Sequence, residues 1–378
     1  MKYAMWSIAY KTLLADRGKF FTALVGVVFA YVLANVQGGL YLGLIKKAGL
    51  LVDRGEAQIW VGHHNMHNVD FARIIPVRWI DRVRSIPGVQ LAEPYVVNFG
   101  IMTLPSGGFE EVVLVGVERQ SLFGNAWSMS EGTADAIRQT DGIIVDADED
   151  AKLEYPQIGE VREIGGKRAR VVAKSKGIVG FLAAPYVFTT IERATAYAGT
   201  DPNYCNYYLV QTADGVDPKQ VCRAIEERIP ELDAHTAADY SKISVDYWMT
   251  RTGIGISFGG ATVLGIIIGL VMIGQTLYAL VLDRLEEFAT LKAIGAPESR
   301  VYGMLFLQAM FMAVVGTLVG MALVAVIQTF SSTPKAPIVI PPWLTIGSTL
   351  LVVAICLLSA VLPYLRVRSV DPMMVLQS

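Results

Sequence analysis

Four long runs without Asp, Glu, Lys or Arg interrupt the chain, at 20–45, 252–282, 301–334 and 336–365. The first reads FFTALVGVVFAYVLANVQGGLYLGLI. The others centre on ATVLGIIIGLVMIGQTLYALVL, MLFLQAMFMAVVGTLVGMALVAVI and LTIGSTLLVVAICLLSAVLPYL. A helix crossing a ~30 Å hydrocarbon core needs ~20 apolar residues, so each run is long enough. The pattern predicts membrane helices at 20–45, 252–282, 301–330 and 343–365. The first run exceeds the 7–15 apolar residues of a signal peptide and is expected to remain in the protein.

Between the first two runs the pattern changes to short alternating segments. AQIWVG (57–62), EEVVLVGVE (110–118) and NYYLVQT (206–212) read as strands. PVRWIDRVRSIPGVQLAEPYVV (76–97) reads as a helix, a Pro-Gly turn and a strand. GIIVDADEDAKL (142–153) predicts a strand leading into an acidic helix start. EVREIGGKRARVVAKSKG (160–177) predicts a hairpin turning at Gly165-Gly166. PYVFTTIERATAYAG predicts a strand and a helix ending at Gly199, and PKQVCRAIEERIP predicts an amphipathic helix. Residues 238–251 predict a helix running straight into the second span. Two βα-type units in succession imply two small lobes. The fold class expected is an α-helical membrane protein with four transmembrane helices and a large α/β extracytoplasmic domain inserted between helices 1 and 2.

Charge supplies the orientation. Lys2, Lys11, Arg17 and Lys19 precede the first span; Arg284, Lys292 and Arg300 lie between the second and third; Arg366 and Arg368 follow the fourth. The loop between the third and fourth holds only Lys335. Basic residues in short loops mark the cytoplasmic side. Both termini and the 283–300 loop are therefore expected in the cytoplasm, and 46–251 and the 331–342 loop outside, in a bacterial plasma (inner) membrane. Residues 1–19, with Met5, Trp6, Ile8, Tyr10 and Leu13 on an apolar side, predict an interfacial amphipathic helix. Residues 366–378 form a cytoplasmic tail. The whole chain has 53% hydrophobic and 17% charged residues, which excludes a soluble enzyme and a disordered chain. The outer region is acidic, which argues against nucleic acid as a partner.

The 283–300 loop, DRLEEFATLKAIGAPESR, places Leu285, Phe288, Leu291 and Ile294 three residues apart, one apolar stripe on a short helix. Asp283, Glu286 and Glu287 near its start and Lys292 later suit the helix dipole. Gly265/Gly269 and Gly316/Gly320 are GxxxG pairs, which let helices approach closely, within a subunit or at a dimer seam. Gln275 and Gln308 are candidates for hydrogen bonds across helices. Cys205 and Cys222 leave two alternatives open, a disulfide or two buried thiols. His63 and His67 share helical ligand spacing, but their segment is loop-like with only Asp70 as a further donor. A polar surface loop is the expected reading, with no metal.

The run Glu287-Phe288-Ala289-Thr290-Leu291-Lys292-Ala293-Ile294-Gly295-Ala296 resembles the element that ABC transporter permeases of the MacB/FtsX type carry between their second and third spans. Gln308 stands where many members carry Glu. Pro363-Tyr364-Leu365-Arg366-Val367-Arg368-Ser369-Val370-Asp371-Pro372 resembles the family's ending, and Ile86-Pro87-Gly88-Val89 its external Leu-Pro-Gly-Val. The outer segment and first span look closest to the DevC-like branch. The resemblance implies a non-catalytic permease subunit of an exporter. It would transmit the motion of a separate ABC ATPase subunit to the outer domain by mechanotransmission. Arg284, Glu286, Glu287, Phe288, Leu291, Lys292, Ile294, Gly295 and Ala296 would form the coupling helix seated on that ATPase. It also implies a second copy of the chain, and for the DevC-like branch a periplasmic adaptor (membrane fusion protein) and an outer-membrane duct. A cell-wall-hydrolase activator of the FtsX kind and a lipoprotein-extraction permease are the alternatives. The sequence contains no G-x-x-x-x-G-K-[ST], so ATP and Mg are expected on the partner and no cofactor on this chain.

Overall fold

The computed structural model describes residues 17–182, 184–283, 298–361 and 365. It divides into two compact units, Leu44–Gly255 and the remainder.

The Leu44–Gly255 unit takes in the end of α1 (Arg17–Ala48), then α2 (Leu50–Arg54), β1 (Ile59–His63), β2 (Ile75–Pro76), α3 (Ile80–Arg84), β3 (Val89–Thr103) and β4 (Phe109–Val117). Next come β5 (Met129–Glu131), β6 (Gly142–Asp146), β7 (Val161–Ile164), β8 (Lys167–Ser175) and β9 (Tyr186–Thr190). It closes with α4 (Ile191–Ala198), β10 (Tyr204–Cys205), β11 (Tyr207–Thr212), α5 (Pro218–Arg228), β12 (Leu232–Thr236) and α6 (Ala237–Arg251). The main sheet runs β12-β1-β11-β3-β4-β9-β6-β8-β5, with β7 on β3 and β8. It is mixed: β4 pairs parallel with β9, and β6 with β8.

The succession of βα units implies two small lobes; the unit has one continuous main sheet, and β3 runs through both parts of it. The first part of the fifteen-residue β3 pairs with β11, and the part from Val96 onward pairs with β4. The valine run of β4 follows from coverage of both faces. Val112 and Leu114 point to one core with Ile80, Val83, Val221 and Ile225 from α3 and α5. Val113, Val115 and Val117 point to the other, with Trp60, Tyr207 and Tyr240. A strand buried on both faces loses the polar half of its alternation.

The expected unbroken helix from 238 into the second span is corrected. α6 stops at Arg251 and the next helix starts at Ile254. Gly253 between them has φ +73°, a left-handed conformation that ends a helix and that Gly adopts without steric cost. The acidic stretch after β6 forms only a 3-10 turn, Ala147–Glu149, capped by the Asp146 side chain.

The second core holds a polar node. The Tyr186 hydroxyl donates to Asp70 Oδ1 at 3.1 Å. Tyr207 Oη lies 2.8 Å from Tyr240 Oη and donates toward the carbonyls of Asn68 and Val69. The Trp60 ring meets Tyr95 and Tyr207 edge-on. Burial pushes the Asp70 carboxyl up to about 6, with Tyr186 partly offsetting it. The Trp248 indole also acts on this carboxyl, though its Nε1–H lies outside hydrogen-bond geometry.

The other unit is built on α1, α7 (Ile254–Leu282), α8 (Glu298–Ser331) and α9 (Pro342–Ser359). All four contain stretches long and apolar enough to cross a membrane. α1 touches the other three. A Cβ on Gly265 of α7 would overlap Leu33, and one on Gly269 would lie 2.7 Å from Ala30 Cβ. On α8, a Cβ at Gly316 would overlap Val27, and one at Gly320 would lie 2.7 Å from a Tyr31 ring carbon. In return, Gly26 of α1 faces Met272. Near its other end, Gly39 accepts from the Val339 amide at 3.0 Å and lies against Ile338. The Pro-rich loop after α8 thus lies on α1, where Gln328 and Ser332 side chains also fix it.

Two outcomes test this packing. Gly316→Val puts a branched side chain into Val27, and overpacking costs ~1–3 kcal/mol; the purified protein should lose several degrees of thermal stability in detergent, while Gly347→Ala, in open space, should lose little. For Asp70, the folded pKa of about 6 lies above the unfolded value of 3.8. Its contribution is therefore fully present below 3.8 and lost as pH rises through 6, up to roughly 3 kcal/mol in all. Tryptophan-monitored melting should fall more steeply between pH 5 and 7.5 in the wild type than in Asp70→Asn; equal slopes would remove Asp70 as the cause.

Candidate functional site

The 283–300 loop is seen at its two ends. Asp283 follows the last turn of α7, its amide donating to Ala279 O at 3.1 Å, and α8 begins at Glu298. Arg284, Glu286, Glu287, Phe288, Leu291, Lys292, Ile294, Gly295 and Ala296 lie outside the described residues. So do residues 1–16 and the 366–378 tail. What the structure adds at this end of the bundle is an ion pair between Lys19 of α1 and Asp283. Both side chains are partly exposed, and such pairs contribute ~1 kcal/mol or less. The pair ties the start of α1 to the residue from which the loop departs.

Of the residues singled out for helix packing, Gly265, Gly269, Gly316 and Gly320 all converge on α1 of the same chain. Gln308 is buried in α8, whereas Gln275 is exposed on α7. The polar contact that crosses helices was not anticipated. Asn35 of α1 is 1% exposed; its Nδ2 donates to Tyr31 O at 2.9 Å and to Ser348 Oγ of α9 at 2.8 Å. Ser348 in turn donates to Thr345 O. Ser359 of α9 donates to the Leu270 carbonyl of α7 at 3.3 Å. In hydrocarbon such contacts contribute ~0.6–2 kcal/mol. The side-chain amides Asn35 and Gln37 in the 20–45 run were the signal available in the sequence.

In the α/β unit the histidine loop is fastened to β12. His64 Nδ1 lies 2.8 Å from Asp233 Oδ1, and the Asn65 and Met66 amides donate to Asp233 Oδ2. Asn65 has φ +67°, a left-handed conformation that Asn tolerates better than most residues. Among the described residues no three His, Cys, Asp or Glu side chains gather as a metal site. Cys205 and Cys222 are free, buried thiols, each pushed up to about 12 by burial. At ordinary pH they stay protonated, and a protonated thiol is a poor nucleophile. The polar groups named here hold strands and helices together.

Comparison with known proteins fits this arrangement. Residues 21–228 match the MacB-like periplasmic core domain, and residues 259–372 match the FtsX-like permease C-terminal domain. An uncharacterized ABC transporter permease of Mycobacterium tuberculosis is 26% identical over 223 residues, 57% of this chain and 57% of that protein. Another from Methanocaldococcus jannaschii is 23% identical over 172 residues, 44% of this chain and 42% of that protein. The chain thus spans about half the length of these relatives. Among solved structures, the periplasmic region of MacB from Actinobacillus actinomycetemcomitans gives a TM-score of 0.39 at 10% identity, covering 50% of this chain and 92% of that one. The extracellular domain of the transporter YknZ from Gram-positive bacteria gives 0.36 at 13%, covering 47% and 99%. The core-domain match takes in more than half of the chain and the permease match follows it directly, and on that ground this multi-pass membrane protein belongs to the ABC transporter permeases of the MacB/FtsX type.

Proposed function

We propose that this chain is the membrane-spanning subunit of an ABC exporter in a bacterial inner membrane and works with a separate ATPase. The observation that carries the reading is the order of its parts. A MacB-like periplasmic core precedes an FtsX-like permease region on a chain with four long apolar helices. The basic residues of the short loops support cytoplasmic termini and a cytoplasmic 283–300 loop, which leaves the α/β unit on the outer side.

In this reading the 283–300 segment receives the push of ATP-driven closure. Its apolar stripe, Leu285, Phe288, Leu291 and Ile294, seats in the ATPase, and Glu286, Glu287 and Lys292 set its register. Displacement enters the bundle where Lys19 meets Asp283. α1 then carries it, because α7, α8 and α9 all pack on α1 without intervening side chains at the glycine positions. The described parts of the spans contain no Asp, Glu, Lys or Arg between residues 20 and 45 or 254 and 282. Intramembrane charges mark ion and proton pathways, so their absence favours mechanical transmission over ion coupling. A second copy of the chain, a periplasmic adaptor and an outer-membrane duct would complete the assembly.

Co-expression with a candidate ABC ATPase partner should yield a complex whose ATP turnover falls at least several-fold in Glu287→Lys and Leu291→Asp. Unchanged turnover in both would remove the coupling role. Orientation is tested separately. In intact spheroplasts, an impermeant maleimide should label Lys167→Cys and spare Thr290→Cys until the cells are broken; the reverse would invert the topology.

A further inference from the structure

The α/β unit contains a hollow of about 240 Å³ lined by the 63–73 loop and by Asn206, Tyr207 and Tyr240. It is somewhat below the size that takes a drug-like ligand, and its chemistry is one-sided. No Asp or Glu lines it, although the unit around it is acidic.

Two buried asparagines fix the polarity. Asn68 is 3% exposed, and its Oδ1 accepts from the Asp70 amide at 2.6 Å. Asn206 is 5% exposed, and its Oδ1 accepts from the Val97 amide at 3.0 Å. Backbone N–H groups need an acceptor, so neither side chain is reversed, and each must turn its NH2 away from that amide. The Asn68 Nδ2 has no partner among the described residues. A buried donor left without a partner is unfavourable, so the position favours an acceptor reached by a small shift of this nearly enclosed amide toward the hollow. The tyrosine hydroxyls do not supply it freely, since Tyr207 is committed to Tyr240 and to the Asn68 and Val69 carbonyls. Arg73 and His67 add further donors at the exposed rim. Opposite in character are Met66 and Phe71. Phe71 is 52% exposed, and its ring is held against Phe99 and Trp248 at centroid distances of 6.0 and 5.8 Å.

We propose that this hollow binds a carboxylate carried on a small apolar body. The carboxylate accepts from the Asn68 and Asn206 amides and pairs with the Arg73 guanidinium, a planar fork that matches its two oxygens. The apolar body lies against Phe71 and Met66. The C-terminal residue of an apolar peptide and a short fatty acid both offer this chemistry. The site lies wholly within the α/β unit, so its failure and that of the ATPase coupling are separate results.

The test is calorimetric titration of the full chain in lipid nanodiscs with N-acetylphenylalanine, its primary amide, octanoate and inorganic phosphate. Saturable binding of N-acetylphenylalanine is expected, at least tenfold tighter than of the amide, and at least tenfold weaker in Arg73→Gln and Asn68→Ala. Octanoate binding more tightly than N-acetylphenylalanine would assign the site to an acyl chain; the converse assigns it to a peptide terminus. Binding of neither carboxylate, equal binding by phosphate, or unchanged affinity in Arg73→Gln would overturn the proposal. Arg73 is exposed, so that variant keeps its fold if Asn68→Ala does not.

Discussion

Close approach of helices to α1 is the constraint on which the membrane unit depends. Lipid tails are as apolar as leucine, so helices in a bilayer gain little by hiding apolar surface from one another. Contact must come from fit. Here the fit comes from glycine: Gly265 and Gly269 of α7 and Gly316 and Gly320 of α8 against α1, Gly26 of α1 against α7, and Gly39 of α1 against the loop before α9. Val27, Ala30, Tyr31 and Leu33 fill the space so vacated. The Asn35–Ser348 bond then fixes α9 at one height, since an amide in hydrocarbon has few other partners. The resulting bundle has one helix that the other three all touch, while α9 also meets α7 through Ser359.

The α/β unit depends in a comparable way on one element. β3 is long enough to pair with β11 along its first half and with β4 along its second, and each half brings its own helices. The two cores lie on opposite faces of that continuous sheet. The aromatic node around Trp60 closes the second of them, where α2 and α6 contribute Leu51, Val52 and Tyr240. Asp70 is buried in this core against the Tyr186 hydroxyl.

Much of this was legible beforehand. Runs without charge identified the four apolar helices, because a membrane leaves no other use for such length. Valine-rich segments identified β4, and Gly165-Gly166 identified the β7–β8 turn. Three kinds of feature were not legible. β12, LDAHT, carries no strong alternation and is fixed by pairing with β1, a partner far away in sequence. The break at Gly253 competes with strong helical patterning on both sides, and one glycine in such a pattern does not announce a positive φ. Which helix the glycine pairs face is a three-dimensional fact; the spacing in Gly316 and Gly320 states only that something comes near. The resemblance around Glu287–Ala296 pointed to the family before any fold was known, and the two domain matches carry it, although those residues themselves lie outside the described part of the structure.

The strands at the two ends of the main sheet have a consequence for assembly. β5 has three residues and an irregular register against β8, and β12 has five. Short or irregular borders offer few unpaired backbone groups for another chain to extend. Neighbours of this unit are thereby steered toward side-chain surfaces and away from backbone augmentation, which keeps a protein crowded on a membrane from polymerising through its own sheet.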